Sequence, residues 1–296
     1  MPSEEFVPQP TADGSLTFFS AEFNEAFHSQ YGARQEAERK FVEPTQLQYK
    51  AQQPQLRILD ICYGLGYNTA AALATIWQVN PRCYVEVVGL ESNPDVPKSA
   101  IAHQLLQSWD EPVPQVLTQL ANKHQVQTGN CKATLLIGDA RKTIQTLHQL
   151  NFQADAIFLD PFSPPHCPQL WTVEFLQQVA LCLTSHGCLA TYSCAAAVRT
   201  ALIQTGLKIG STPPVGRRSP GTVAAWEAIN LPTLSPEEQE HLLTRAAIPY
   251  RDPQLSDSAT VILQRRQQEQ NASSLMSTSQ WRKQTIKNSK STLQNS

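Results

Sequence analysis

Four acidic residues stand where strand-like runs give out. Asp60 lies at the end of Arg57–Ile61, Glu91 follows Tyr84–Leu90, Asp139 follows Ala133–Ile137, and Asp160 follows Ala156–Leu159. The first run leads into a glycine-rich turn and a helical stretch, RILDICYGLGYNTAAALATIW. Glycine lets the backbone approach a ligand closely, and the opening of a helix offers unpaired N–H groups. Gly64 and Gly66 match two glycines of the dinucleotide fingerprint, but Thr69 holds the third place. Asp60 is foreign to that fingerprint and suits a cationic group such as an α-amino group. Glu91, 25 positions after Gly66, falls near the usual place for gripping ribose hydroxyls. Asp139 is placed to accept from an adenine amino group. Each carboxylate taken singly has a competing account as an ordinary cap or surface charge. Three in register describe a nucleoside site with a positive centre instead of a phosphate, and S-adenosylmethionine is such a ligand.

The fourth acid opens a different kind of segment, ADAIFLDPFSPPHCPQLW. Asp160 falls beside the expected methyl group, and Phe162, Ser163 and the stiff pair Pro164–Pro165 form the adjacent wall. The segment lacks the D-P-P-Y or N-P-P-Y pattern of enzymes that methylate nucleobase amines.

The elements that must position these groups alternate in period. Strand-like runs at Arg57–Ile61, Tyr84–Leu90, Ala133–Ile137, Ala156–Leu159, Gly187–Tyr192, Leu207–Ser211 and Thr222–Trp226 are mostly separated by helical stretches. The pattern predicts an α/β fold with a seven-stranded, mostly parallel sheet, a C-terminal antiparallel hairpin and ligands at the carboxyl ends of the strands. Residues 111–131 read as an insertion or extended loop. Ser235, Pro236 and Glu238 read as an N-cap, a first-turn proline and a capping-box glutamate. The expected organisation is an N-terminal hairpin extension over residues 1–50, the α/β domain over 51–268 and a disordered basic tail over 269–296.

Charge and cysteine usage bound the partners. Residues 264–296 carry six Lys/Arg and one Glu, leaving 17 Lys/Arg against 24 Asp/Glu in residues 1–263. An acidic body must gather its basic residues if it is to bind nucleic acid. Arg217 and Arg218, between the last two strands, are the first candidates, with Arg199, Arg245, Arg251, Arg265 and Arg266 as possible additions. No apolar run is long enough for a membrane helix, the N-terminus lacks a secretory pattern, and seven cysteines without a C-x-x-C pair fit a reducing cytoplasm. Cys182, Cys188 and Cys194 read as small core residues, so no metal is expected. His28 and Glu25 are candidates for substrate contact, with a structural hydrogen-bonding role as the commoner alternative.

Beyond these patterns the chain resembles the methyltransferase part of the bifunctional tRNA 5-methylaminomethyl-2-thiouridine enzymes, and more closely their stand-alone counterparts. The stretches that carry the resemblance are DGSLTFFSAEFNEAFHSQYGARQEA, ILDICYGLGYNT, DAIFLDPFSPPHCPQLW, TYSCAAAVRTALIQTGLKI, GRRSPGTVA and IPYRDP, spanning residues 13–253. The resemblance implies a Rossmann-like class I methyltransferase fold and S-adenosylmethionine as donor. It implies as acceptor the aminomethyl group of wobble uridine in the tRNA anticodon stem-loop. Carried over by motif, the glycine loop with Glu91 and Asp139 would hold the cofactor and Asp160 would face the reacting amine. Such an alkylamine, with a pKa of ~10.4, costs roughly 4–5 kcal/mol to deprotonate at pH 7. Desolvation by up to ~3–5 pKa units offsets most of that, and a fixed carboxylate would stabilise the charge the nitrogen gains. Together with the reading of the residues, the candidates are Asp60, Tyr63, Gly64, Gly66, Asn68, Glu91 and Asp139 for the cofactor, Asp160 for catalysis, and Phe162, Ser163, Arg217 and Arg218 for substrate contact. Two departures stand out. Cys62 replaces the usual glycine, which predicts an ordinary backbone conformation there. Only 30 residues follow Arg266, so no flavin is expected, and upstream amine-forming enzymes must supply the precursor. A spermidine-synthase-like aminopropyltransferase, or a methyltransferase of small amines, shares the glycine loop and the G-D-A motif. A non-catalytic RNA-binding module is the reading from another class.

Overall fold

The computed structural model describes residues 6–216, 219–228 and 230–283. Strands β1 (Gln9–Pro10), β2 (Leu16–Thr17), β3 (Phe19–Ser20) and β4 (Glu25–Ala26) form two small antiparallel pairs, β1 with β2 and β3 with β4. A short helix α1 (Ala33–Glu36) continues into a π-helix over Ala37–Val42, and α2 (Leu47–Lys50) follows. A helical turn thus falls in the Gln-rich stretch between Pro44 and Pro54.

The central sheet is built from β5 (Gln55–Ile61), β6 (Tyr84–Glu91), β7 (Gln125–Gln127), β8 (Cys131–Ile137), β9 (Ala154–Leu159), β10 (Leu183–Thr191), β11 (Lys208–Thr212) and β12 (Gly221–Ala225), in the order β11-β12-β10-β9-β5-β6-β8-β7. Strands β10, β9, β5, β6 and β8 run parallel, while β12 is antiparallel to both β10 and β11. This is the Rossmann-like class I methyltransferase arrangement with the expected terminal hairpin. It has eight strands instead of seven. The additional one comes from the stretch read as a loop, residues 111–131, which forms α5 (Val113–Lys123) and then β7, antiparallel to β8. Three residues, QVQ, are too few for strand periodicity to show in sequence.

Alternation along the strands decides which side chain meets which layer. Leu56, Ile58, Val85, Val87, Ala156 and Phe158 join one buried cluster with α3 (Tyr67–Val79), α5 and the N-terminal helices. Leu59, Ile61, Leu90, Ile157 and Leu159 join another with α6 (Ala140–Gln149), α7 (Val173–Leu181) and α8 (Ala196–Gln204). Both faces are covered, as a parallel sheet requires. Helix α4 (Asp95–Ala102) accommodates Pro97 in its first turn, where no intrahelical N–H bond is lost.

The capping box at Ser235 and Glu238 opens α9 (Pro236–His241) as expected. The last helix, α10 (Ala259–Ala272), runs past the boundary set at residue 269. Beyond it Met276 bridges to Thr244, and Trp281 stacks on His241 and donates to Glu240 Oε2 at 3.0 Å. The part of the predicted tail up to residue 283 thus makes these contacts with α9 and the residues after it, while Leu275 and Met276 stay exposed. Residues 284–296 lie outside those described. No helix of the described residues is long and apolar enough to cross a membrane.

Candidate active site

A cavity of about 370 Å³ opens at the carboxyl ends of β5, β6, β9 and β10, roofed by the N-terminal extension. That volume lies within the range of small-molecule sites. Its floor is the turn from β5 into α3. Cys62 there adopts φ +65°, in the left-handed region, contrary to the ordinary conformation expected of a non-glycine residue. Such a backbone costs on the order of 1–2 kcal/mol. The reversal it produces is tied down by Tyr63 N–H to Leu90 O at 3.0 Å and Gly64 N–H to Glu91 Oε2 at 2.8 Å. Gly66, at φ +85°, has the buried Tyr63 ring beneath it: a Cβ there would stand 2.7 Å from Tyr63 Oη. Tyr63, Gly64 and Asn68 line the cavity, whereas Gly66 acts from below by shaping the turn.

The four strand-end acids do not share one environment. Glu91 and Asp160 line the cavity; Asp60 and Asp139 do not. Asp60 lies on the same face of β5 as Leu56 and Ile58, the face covered by α3, and there its Oδ2 accepts from Thr69 Oγ1 at 2.7 Å. It is wholly buried, its Oδ1 has no partner, and burial pushes its carboxyl up to about 7. Asp60 is expected from the sequence to meet the cofactor's amino group; in this structure it is enclosed beneath α3 and does not line the cavity. Asp139 instead caps α6 through Arg141 N–H and is gripped by the Arg141 guanidinium at 2.7 Å, which also pairs with the fully buried Asp252 at 2.9 Å. Burial alone would raise Asp139, but these bonds from Arg141 hold it below the ordinary carboxylate range. Asp139, expected from the sequence to contact the adenine, here caps α6 and does not line the cavity.

Glu91 accepts from the N–H groups of Gly64 and Asn93. Burial raises it, with those bonds in opposition. Asp160 lies on the α3 side of β9, and its Oδ2 accepts from Asn68 Nδ2 at 2.9 Å. Burial lifts its carboxyl well above the usual range, against the Asn68 bond; Glu36 and Asp60 add to the rise, and Lys40 opposes it. Asn68 Oδ1 is buried without a partner.

The wall after Asp160 is fixed from several sides. Phe162 stacks on Phe23 with centroids 4.4 Å apart, and its carbonyl accepts from Trp171 Nε1 at 2.8 Å. Ser163 does not line the cavity; its N–H donates to Glu25 Oε2 at 3.0 Å, while Glu25 itself is part of the lining. His166 Nδ1 contacts the Phe23 carbonyl. The extension is thereby pinned across the mouth of the sheet. His28 also lines the cavity, bonded to Thr17 Oγ1 through Nδ1 at 3.2 Å, and burial lowers it to about 4. It is a neutral residue of the wall.

Residues invisible to the strand-end argument complete the lining. Glu36 and the buried Lys40, from α1 and the π-helix, reach the same cavity, as do Tyr67 and Tyr192. The one available signal was the apolar–charged alternation of ARQEAERKFV, which marks a helix but not what its charged face meets.

Among the described residues, the additional arginines are not gathered at this mouth. Arg199 is buried and pairs with Glu238 at 2.8 Å. Arg251 pairs with Glu174, Arg265 with Asp257, Arg266 packs over Tyr250, and Arg245 donates to Leu275 O. Arg217 and Arg218 lie outside the described residues.

S-Adenosylmethionine fits what is present. Glu91 has lone pairs to spare for hydroxyls, the turn leaves close backbone access at Gly64, and Asn68 Oδ1 supplies a buried acceptor that nothing in the protein satisfies. Comparison with known proteins bears on the same point. The family described as S-adenosyl-L-methionine-dependent methyltransferase matches residues 103–227. The crystal structure of MNMC2 from Aquifex aeolicus superposes with a TM-score of 0.79 at 34% identity, covering 92% of this chain and 87% of that one. An uncharacterised protein of Methanocaldococcus jannaschii is 31% identical over 90% of this chain and 72% of its own length. The tRNA 5-methylaminomethyl-2-thiouridine biosynthesis bifunctional protein MnmC of Ralstonia nicotianae is 32% identical over 74% of this chain, which spans only 34% of that protein. The chain belongs to the family of S-adenosyl-L-methionine-dependent methyltransferases that includes MNMC2 of Aquifex aeolicus.

Proposed function

We propose that the enzyme methylates the aminomethyl nitrogen on C5 of a wobble uridine in tRNA, with or without sulfur at C2, giving the 5-methylaminomethyl product. The observation that carries this reading is the charge of the cavity. Glu22, Glu25, Glu36, Glu91 and Asp160 line it, against Lys40 as the one Lys or Arg of the wall among the described residues. Such a surface selects cationic ligands: the donor brings a sulfonium and an ammonium, and the acceptor arrives as an alkylammonium. The names of the bifunctional relatives supply the RNA context.

The bound donor supplies an electrophilic methyl group. Glu91 holds the ribose, the Tyr63–Gly66 turn lies against the cofactor, and Asn68 Oδ1, not Asp60, accepts from its amino group. The alkylammonium gives up one proton to solvent as desolvation lowers its pKa; Asp160 then accepts a hydrogen bond from a remaining N–H of the neutral amine and aims the freed lone pair. Because burial raises Asp160, its basicity lies closer to that of the amine, and the carboxylate is stabilised as the nitrogen becomes positive. Phe162 forms the apolar side of the acceptor pocket, and Ser163 holds that loop to Glu25. Arg217 and Arg218, which immediately precede the cavity-lining Ser219 in sequence, are assigned to the RNA backbone. The precursor amine comes from separate upstream enzymes, and the expected compartment is the cytoplasm.

The test is methyl transfer from labelled S-adenosylmethionine to tRNA lacking the final methylation, followed by nucleoside mass analysis. Labelled 5-methylaminomethyl-uridine is the expected product. Cofactor binding without label in tRNA, or transfer only to polyamines, sinks the assignment.

A further inference from the structure

Lys40 is the least expected member of the cavity wall. It is only 2% exposed, in a π-helical stretch, Ala37–Val42, of the kind that often marks functional sites. Burying an ammonium costs several kcal/mol unless its donors are used. An ammonium carries three donors and no acceptor, so carboxylate neighbours do not exhaust what it can bind. Lys40 and Asp160 line the same cavity, and the ammonium opposes the rise of the Asp160 carboxyl, which places Lys40 in the neighbourhood of the acceptor nitrogen.

This deduction rests on the acceptor proposed above. In 5-aminomethyluridine the reacting nitrogen hangs from C5, and the neighbouring ring position, C4, carries a carbonyl oxygen. A group that binds the amine and one that binds O4 must therefore sit side by side. We infer that Lys40 donates to O4 of the target base while Asp160 holds the amine, making Lys40 the residue that specifies uracil. At the same position cytosine presents an amino group, a donor where uracil has an acceptor. A cytosine in the cavity would set donor against donor, its N–H facing the ammonium, and be rejected. The pair Lys40 and Asp160 reads a single edge, an acceptor beside an alkylammonium.

The experiment uses the full-length enzyme and three anticodon stem-loop RNAs. These carry at the wobble position 5-aminomethyluridine, 5-aminomethylcytidine, or the 5-aminomethyl pyrimidin-2-one lacking the 4-oxygen. The wild type should favour the uridine over both others by about 10- to 100-fold in kcat/KM, the scale of a hydrogen bond to a charged group. Lys40→Met should lose about the same factor on the uridine substrate, bring the three RNAs toward parity, and leave the cofactor dissociation constant unchanged. Lys40→Arg, which retains a donor, should keep part of the preference. A damaged fold would lower all three rates together and leave their ratios intact, so parity is a readout that structural failure does not mimic. If Lys40→Met does not fold, the wild type alone decides: equal turnover of the uridine and 4-deoxygenated RNAs overturns the assignment. Retention of the full uridine preference in a folded Lys40→Met enzyme overturns it as well. Absence of transfer to all three RNAs despite cofactor binding overturns the proposed function and this inference together. Transfer without discrimination removes only the role of Lys40.

Discussion

Two of the four acids at the carboxyl edge of the sheet belong to the cavity and two belong to the protein. Glu91 and Asp160 meet the cavity, held by backbone N–H groups and an amide that leave carboxylate lone pairs available. Asp60 and Asp139 occupy equivalent strand ends, yet one is sealed under α3 against Thr69 and the other is clamped by Arg141. The end of a parallel strand brings a side chain near the ligand site; the partners it finds within the protein decide whether it is available. Burial raises the first three and Arg141 lowers the fourth, so the electrostatics divide differently from the geometry.

The difference is broken most directly at Asp160. Asp160→Ala should reduce kcat by about 100- to 1000-fold, the scale for removing one preorganised electrostatic partner of a transition state. Calorimetric titration should show cofactor affinity nearly unchanged. A rate within roughly a factor of two of wild type would return Asp160 to the structural class. Arg141 tests the opposite member. Arg141→Met leaves the wholly buried Asp252 without its cation and should destabilise the fold by about 3 kcal/mol, read by urea unfolding. The folded fraction should turn over normally, and a large fall in its kcat would place Asp139 in the site after all.

The mostly parallel sheet, the terminal hairpin and the capping box of α9 were legible because each rests on local patterns: alternation, glycine, and a serine three residues before a glutamate. The position of Glu91 and Asp160 at strand ends beside the cavity was legible for the same reason. The role of Asp139 was half legible, since an aspartate directly before a helix is a cap signature, and Arg141 two residues on has the reach to close on it. Glu36 and Lys40 were not legible. They are more than 100 positions from Asp160 in sequence, and only tertiary packing of the extension over the sheet brings them to the same cavity. Cys62 misled for a different reason: neighbouring bonds to Leu90 and Glu91 hold a non-glycine residue in a conformation its own preference opposes.

Asp60 sharpens the comparison through pH. Its folded carboxyl titrates at about 7 against 3.8 for the ordinary group. A raised folded value contributes stability below the unfolded one, and this is lost as pH rises through about 7. Asp60→Asn keeps an acceptor for Thr69 and removes the titration. The stability of the variant relative to wild type should therefore improve by about 2–3 kcal/mol between pH 5 and pH 8, measured by denaturant unfolding at each pH. A pH-independent difference would mean that Asp60 does not titrate in this range.

Asn68 joins the two classes, since its Nδ2 serves Asp160 while its Oδ1 is buried without a partner. Asn68→Ala removes both functions, and they separate by measurement. Loss of the donor to Asp160 should lower kcat by about 10-fold, the scale of one hydrogen bond to a charged group. Loss of the Oδ1 acceptor should independently weaken cofactor binding by a similar factor. In the Asp160→Ala background the same substitution should cost nothing further in kcat, because the group it orients is gone, while the loss in cofactor affinity persists. Additive losses in kcat would show that Asn68 acts on the reaction by a route other than Asp160. An unchanged dissociation constant would leave the buried oxygen without the cofactor contact proposed for it.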